Sequence, residues 1–284
     1  MDLATGTVQI YRMEPAGGVA TRLTVPNGQV WNECPSWSAN GQLIYFDSFD
    51  RGLGTPAHIY RMTATGGSRT LVDRPDAPAH VCPSVNWNGT ELAAIEYADS
   101  EGIIRMNADG SGAEIVAAAG TNQVLYTPRF APFGSRIVFN QVTYNGTDFV
   151  SADLMLIYPT GGIRNITRNT NELFFSPSWS PRADSILAVR GAAQDEIVRV
   201  SLAGTVMRSL IKVPGAALSS PMFSPDGSKI AFLQCVGDCG DPDLQGTGSV
   251  WVMDADGSNP MLVLGQTPGG VQPFGYLDWG VETK

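Results

Sequence analysis

The sequence predicts an all-β protein built from six similar units, and three observations lead to this prediction. A segment containing a proline, then an apolar or aromatic residue two positions later, then a turn, recurs along the chain. A second segment, which ends in a glycine turn, recurs with a similar period. The apolar runs between the turns are short and lack helical periodicity, which excludes solenoids built from helices.

The proline series sets the length of the repeat. Its copies read "CPSWSANGQLIYF", "CPSVNWNGTELAAIEY", "TPRFAPFGSRIVFN", "SPSWSPRADSILAV" and "SPMFSPDGSKIAFLQ". Their prolines are 48, 45, 49 and 44 residues apart, at Pro35, Pro83, Pro128, Pro177 and Pro221. Periods of this length are typical of propellers, solenoids and arrays. Because "SPDG" is turn chemistry, we interpret Asp226 as a turn residue and not as a catalytic one.

The second series gives each unit four strands. It reads "IYRMEPAGG", "IYRMTATGG", "IIRMNADGS", "LMLIYPTGG", "IVRVSLAGT" and "VWVMDADGS". Strand a is the Pro-x-Trp segment, strand b the apolar run after the turn, strand c the Ile-Tyr-Arg-Met type, and strand d follows the glycine turn. Strand b is apolar on both faces, as expected for a strand covered by neighbours on both sides. We therefore predict a six-bladed β-propeller with four-stranded antiparallel blades, one domain over residues 1–284.

The two ends of the chain are predicted to share the last blade. The first unit has strands c and d only, and the end of the chain carries a partial strand a, "YLDWG", with Trp279 in the place of Trp37. Termini that each carry part of one blade can complete it together and leave no sheet edge exposed. Met1–Ala4 is the candidate for strand b of that blade.

The repeat resembles the TolB-type β-propeller family, whose WD40-like unit combines Pro-x-Trp-Ser-Pro-Asp-Gly, Ile-Ala-Phe and Ile-Tyr-x-Met-Asp-Ala-Asp-Gly. The best copy is Pro221–Gly257, and the resemblance covers nearly the whole chain. The chain departs from the pattern at Val85, Phe130 and Phe223, which replace Trp, and at 182–183, where Asp-Gly is absent. The resemblance implies a binding platform, a periplasmic scaffold, or the accessory domain of a peptidase or carbohydrate enzyme.

Composition narrows the class of partner. The net charge is −9, and no basic run occurs, which argues against nucleic acid as a partner. No apolar stretch approaches 18 residues, so we expect no membrane insertion. The N-terminus lacks the features of a signal peptide. Charged residues make up only 16%, which suits an exported bacterial protein. We expect a monomer in the periplasm or outside the cell, with its signal peptide absent from this sequence.

We place the binding site on the face that carries the b–c and d–a connections. The segments 47–57, 141–152 and 235–248 are long there, and function tends to lie on loops carried by a rigid scaffold. An aromatic channel mouth with few polar groups suits a sugar or an extended peptide; the alternative is that these rings plug the channel or wedge between blades. The candidate ligand-binding residues are Trp31, Asn32, Glu33, His80, Tyr126, Phe174, Phe175, Gln272 and Phe274.

The sequence offers little support for catalysis, and we predict no catalytic residue. No Gly-x-Ser-x-Gly motif occurs, and two histidines, His58 and His80, are too few for a His-rich metal centre. A glycosidase needs two carboxylates roughly 5–10 Å apart, for which Glu33 with Glu96 or Asp99 is the candidate pair. We therefore favour a non-enzymatic protein that binds a peptide, a protein segment or a glycan. The alternatives are a carbohydrate-active enzyme (lyase or glycosidase), and an accessory propeller of a larger enzyme or surface protein.

Cysteine spacing predicts one local disulfide. Cys235 and Cys239 flank the short loop "CVGDC", and a bond there fits an oxidising compartment; the alternative is four buried or idle thiols. Cys34 and Cys82 occupy equivalent places in neighbouring blades. A bond between them requires Cα atoms within about 7 Å. We expect the blades to hold them further apart, as free thiols.

The loop that follows Cys235 is also a candidate for weak calcium binding. Its "DPDLQG" resembles the first half of a calcium loop, although Gln245 replaces the third acidic ligand. The alternative is an acidic loop without a metal, and no other cofactor is predicted. The candidate ligands are Asp238, Asp241 and Asp243.

Overall fold

The described part of the chain is all β and forms five four-stranded antiparallel sheets and one two-stranded sheet. Those elements contain no helix with the length and apolar character to cross a membrane. The computed structural model describes residues 6–25, 27–98, 101–168, 170–237, 246–266, 273 and 275–281.

Each four-stranded sheet, here called a blade, has its strands side by side in chain order. Blade 1 contains β3 (Val30–Trp37), β4 (Leu43–Asp50), β5 (His58–Thr63) and β6 (Thr70–Leu71). Blade 2 contains β7 (Ala79–Val85), β8 (Glu91–Tyr97), β9 (Glu101–Asn107) and β10 (Glu114–Ala118). Blade 3 contains β11 (Gln123–Phe130), β12 (Ile137–Asn145), β13 (Asp148–Ile157) and β14 (Ile163–Asn165).

The remaining sheets follow the same plan or part of it. Blade 4 contains β15 (Phe174–Trp179), β16 (Ser185–Arg190), β17 (Glu196–Ser201) and β18 (Val206–Lys212). Blade 5 contains β19 (Ala216–Phe223), β20 (Lys229–Val236), β21 (Thr247–Asp254) and β22 (Met261–Gly265). The two-stranded sheet pairs β1 (Tyr11–Arg12) with β2 (Thr21–Arg22).

The blades are arranged as in a propeller. The first strands of successive blades contact one another, β3 with β7, β7 with β11, β11 with β15, and β15 with β19. The second strands carry fully buried rings, among them Phe46, Phe139 and Phe232. The apolar clusters are shared between neighbouring sheets, because each blade covers the next. The prediction of blades covered on both faces is confirmed for blades 2, 3 and 4, which share apolar clusters with both neighbours.

Every first strand has the same irregularity at the repeat proline. The pairing between first and second strand shifts register there in all five blades. The residue before the proline has a positive φ of 46–52° in each case, at Cys34, Cys82, Thr127, Ser176 and Ser220. These β-bulges bend the first strands and place one small residue per blade at equivalent positions around the ring.

The turn between the third and fourth strands of a blade packs closely against the backbone of the previous blade. A Cβ atom at Gly110 would lie 2.0 Å from the carbonyl oxygen of Val72. At Gly204 the corresponding distance is 1.6 Å, to the oxygen of Ile166. Only glycine permits so close an approach between backbones.

The prediction of six four-stranded blades is wrong for the described residues, which form five. The sixth unit contributes the two-stranded sheet and the segment 275–281, which has no strand ladder. Individual side-chain contacts connect that segment to its neighbours instead. Asp278 accepts a hydrogen bond from the Trp37 backbone N–H, and the Trp279 N–H lies 3.3 Å from Met222 Sδ. Met1–Ala4, the candidate strand b, lies outside the described residues.

Both terminal segments nevertheless converge on blade 1. Trp37 has the Arg12 guanidinium 5.8 Å from its ring centroid on one side, and a Cβ at Gly280 would lie 2.5 Å from the same indole. On the other side of the two-stranded sheet, a Cβ at Gly17 would lie 3.2 Å from the Val263 oxygen of blade 5. The two-stranded sheet is therefore in contact with both the first and the fifth blade.

The expectation of free thiols at Cys34 and Cys82 is also wrong. The two residues form a disulfide, with Cα atoms 4.8 Å apart. The reason is the bulge described above, because each cysteine occupies the positive-φ position of strands that contact each other, β3 and β7. The predicted bond between Cys235 and Cys239 stays a prediction, since Cys239 lies outside the described residues.

Candidate functional site

A cavity of about 1730 Å³ is the candidate site. Its walls come from the first strands of blades 1, 3 and 4, from all four strands of blade 5, from the β12–β13 hairpin and from both terminal segments. Five of the nine predicted ligand-binding residues line it: Trp31, Asn32, Glu33, Tyr126 and Phe175. We call it the mouth cavity.

An aromatic cluster forms one side of the mouth cavity. The ring of Phe149 lies 6.1 Å from that of Phe175 and 6.0 Å, edge to face, from that of Tyr144. All three rings line the cavity together with Tyr126. Phe149 is 43% exposed, so its ring is available to a ligand.

Sequence reasoning missed Tyr144 and Phe149, because it assigned 141–152 to a long loop. The structure continues both strands to a tight hairpin, with Asn145 paired to Asp148. A signal was present in the sequence: Gly146 is the first of two turn residues between the paired Asn145 and Asp148, and glycine at that position is a hairpin signal. The hairpin carries the aromatic residues beyond the sheet to the mouth.

Trp31 contributes less surface than its type suggests. The Arg51 guanidinium lies 4.7 Å from the centroid of its ring, and Phe49 packs at 6.1 Å. Only 9% of the residue is exposed. The tryptophan is therefore mainly a packing residue of the wall, with one edge toward the cavity.

Within the part of the chain that the structure describes, two polar atoms of the cavity wall lack a hydrogen-bond partner. Asn32 donates through Nδ2 to Gln9 Oε1 at 3.1 Å, while its Oδ1 is buried and unpaired. Thr127 Oγ1 is likewise buried without a partner. Leaving such a group unpaired costs free energy, roughly 1–3 kcal/mol.

The acidic part of the site is a pair of carboxyl groups, one of them partly buried and the other fully buried. Glu33 lies directly across the strand pair from Asp47, which accepts a hydrogen bond of 2.9 Å from the Cys82 N–H. Burial raises the pKa of Glu33. Burial, together with the charge of Glu33, raises the pKa of Asp47 to about 7. Glu33 therefore faces Asp47 and not Glu96, its expected partner. The other expected partner, Asp99, lies outside the described residues.

Burial also raises the pKa of two tyrosines that line the cavity. Tyr276 lines the cavity, and burial and then the charges of Glu33 and Asp47 raise its pKa to about 12. Burial, then the neighbouring Tyr144, raises the pKa of Tyr126 to about 12. Both phenols are therefore neutral hydrogen-bonding groups near neutral pH.

Two predicted residues are placed away from the mouth cavity. His80 is buried, with Nδ1 2.9 Å from Asp73 and Nε2 3.1 Å from Glu96. Phe174 is completely buried in the core shared by blades 3 and 4. The remaining predicted residues lie outside the described part of the chain, namely Gln272, Phe274 and the calcium candidates Asp238, Asp241 and Asp243.

Comparisons with known proteins identify the fold. No model of a known protein family matches the chain. The putative TolB from Agrobacterium tumefaciens is similar over 92% of this chain and 90% of its own, with 19% identity and a TM-score of 0.70. TolB from Acinetobacter baumannii is similar over 89% of this chain and 58% of its own, with 15% identity and a TM-score of 0.67.

The same fold also occurs in an enzyme. An oligogalacturonate lyase, solved in complex with manganese, is similar over 92% of this chain and 73% of its own, with 14% identity and a TM-score of 0.60. These likenesses show a TolB-like propeller. At such identities they show the fold alone, because one fold carries many functions.

Proposed function

We propose that this chain is a non-enzymatic binding propeller that holds a glycan or an extended peptide segment in the mouth cavity. The observation that carries the proposal is the group of rings at the cavity wall, Tyr126, Tyr144, Phe149 and Phe175. Aromatic faces stack on sugar rings and pack against apolar side chains.

The test is a glycan and peptide array probed with the whole chain, followed by titration of the best ligand. We expect Phe175→Ala and Tyr126→Ala to weaken that binding about tenfold, a loss of about 1.4 kcal/mol. Trp87→Ala is the matched control, because Trp87 is 50% exposed and does not line the cavity. Wild-type affinity in both cavity variants, or an equal loss in the control, would refute the proposal.

The carboxyl pair favours a carbohydrate-active enzyme as the second candidate. Glycosidases use a carboxyl group with a raised pKa as the general acid, and burial raises the pKa of both Glu33 and Asp47. We rank this function second because Asp47 is 1% exposed, out of reach of a substrate. Turnover of an array-positive oligosaccharide that is abolished in Glu33→Gln would establish it.

We also propose that the chain is exported, acts as a monomer, and closes its ring with both termini. The disulfide between Cys34 and Cys82 supports export, since such bonds persist in oxidising compartments. Ring closure is supported by Trp37, which contacts both terminal segments, and by Gly17 beside Val263. In a closed ring only the outer strands of the blades remain as sheet edges, which supports the monomer.

A further inference from the structure

The disulfide between blades 1 and 2 lies against a carboxyl group. Cys34 Sγ, Cys82 Sγ and a carboxylate oxygen of Asp47 are all within 4.8 Å of one another. All three residues are buried, with exposed fractions of 3%, 8% and 1%. The Cys82 N–H donates to Asp47 Oδ1, which fixes the orientation of the carboxyl group toward the two sulfur atoms.

This set of atoms has the composition of a metal site once the sulfurs are thiols. Thiolate and carboxylate ligands bind zinc at about 2.3 Å and 2.0–2.2 Å, so neighbouring ligand atoms of a tetrahedral site lie roughly 3.3–3.8 Å apart. Opening the S–S bond allows the two sulfurs to reach that spacing with small side-chain movements. The bond from Cys82 N–H to Asp47 serves as the outer hydrogen bond that orients metal ligands.

We propose that the dithiol form of this chain binds a thiophilic divalent cation such as Zn²⁺ between Cys34, Cys82 and Asp47. A phosphine reductant supplies two electrons and breaks the S–S bond; water gives its oxygen to the phosphine, which becomes a phosphine oxide, and its two protons to the sulfurs, which become thiols. The cation then forms two metal–sulfur bonds and one metal–oxygen bond and displaces the two thiol protons, and any proton on the Asp47 carboxyl, to solvent. Three protein ligands leave the fourth position open.

The redox state of Cys34 and Cys82 would affect the wall of the mouth cavity. Cys34 follows directly after the wall residues Asn32 and Glu33, and Cys34 itself lines the cavity. The disulfide form holds β3 and β7 together by a covalent bond, and the metal form would hold them by coordination. The proposal does not depend on the identity of any organic ligand.

The test uses Co²⁺, whose thiolate complexes have a charge-transfer absorption. The whole chain, reduced with a phosphine under exclusion of oxygen, is titrated with Co²⁺ and then with Zn²⁺. We expect one Co²⁺ per chain with a thiolate band, and its displacement by Zn²⁺, which binds such sites more tightly. The oxidised protein is expected to show no band.

Variants assign the signal to its residues. Cys34→Ser and Asp47→Asn should weaken Co²⁺ binding at least tenfold, while Cys235→Ser, the matched control, should keep it. Circular dichroism of each reduced variant checks that it is folded. If the reduced wild type is folded but shows no thiolate band, the proposal is overturned. It is equally overturned if the band is lost in Cys235→Ser and kept in Cys34→Ser.

Discussion

At the scale of single residues, His80 has the most unusual surroundings. Its two ring nitrogens lie against the carboxylates of Asp73 and Glu96, and His58 approaches the same Asp73 at 3.4 Å. Burial disfavours the charged imidazole, but the hydrogen bonds to Asp73 and Glu96 outweigh it, and the net effect raises the pKa of His80. His80 therefore connects Asp73, which follows blade 1, with Glu96 of blade 2 through its two ring nitrogens.

This arrangement predicts a pH dependence of stability. Because the native pKa of His80 exceeds the unfolded value of about 6.5, its stabilising contribution is fully present below that pH. It is lost as the pH rises through the native pKa. We expect the free energy of unfolding, measured in urea, to fall across this window. His80→Gln should flatten the fall, and an unchanged slope in this variant would show that His80 is not the group responsible.

At the scale of elements, the glycine turns between third and fourth strands set the spacing of the blades. Gly204→Ala brings a Cβ against the Ile166 oxygen and also strains a φ of 87°. Gly191 has the same backbone conformation, φ 88°, with nothing within 4 Å of the added Cβ. Comparing Gly191→Ala with Gly204→Ala therefore separates the destabilisation caused by the steric contact from the destabilisation caused by the positive φ.

We expect Gly191→Ala to lower the free energy of unfolding by about 1–2 kcal/mol, the cost of a left-handed residue. Gly204→Ala should lower it by roughly 3 kcal/mol or more, because packing strain adds to the same backbone cost. Chemical denaturation of both variants measures the difference. Equal losses would mean that the turns do not control blade spacing.

Strands and their burial could be predicted from the sequence, because turn residues and apolar runs are local signals. The fully buried second strands, such as β16, follow directly from those runs. Features that depend on positions distant along the chain could not be predicted. The approach of Cys34 to Cys82 depends on positive φ values in two bulges, and the hairpin that carries Tyr144 and Phe149 required a correct register.

At the scale of the whole molecule, the repeat explains the arrangement of the blades. The incomplete unit, which is formed by the two terminal segments, is part of the candidate site. The mouth cavity is lined both by the first strands and by the two terminal segments, including Gln9 and Tyr276. The sixth unit could be predicted from its period, but its strand content could not. Asp278 replaces a ladder hydrogen bond with a side-chain one, and no local pattern predicts that exchange.

The most direct test of the central claim is hydrogen exchange of the whole chain with and without the best array ligand. We expect slower exchange in 123–127, in the hairpin 141–152 and at 173–176, segments that contain residues lining the mouth cavity. We expect unchanged exchange in the turns 86–90 and 180–184, which contain none. Protection confined to those turns, with none in the hairpin, would contradict the placement of the ligand site at the mouth.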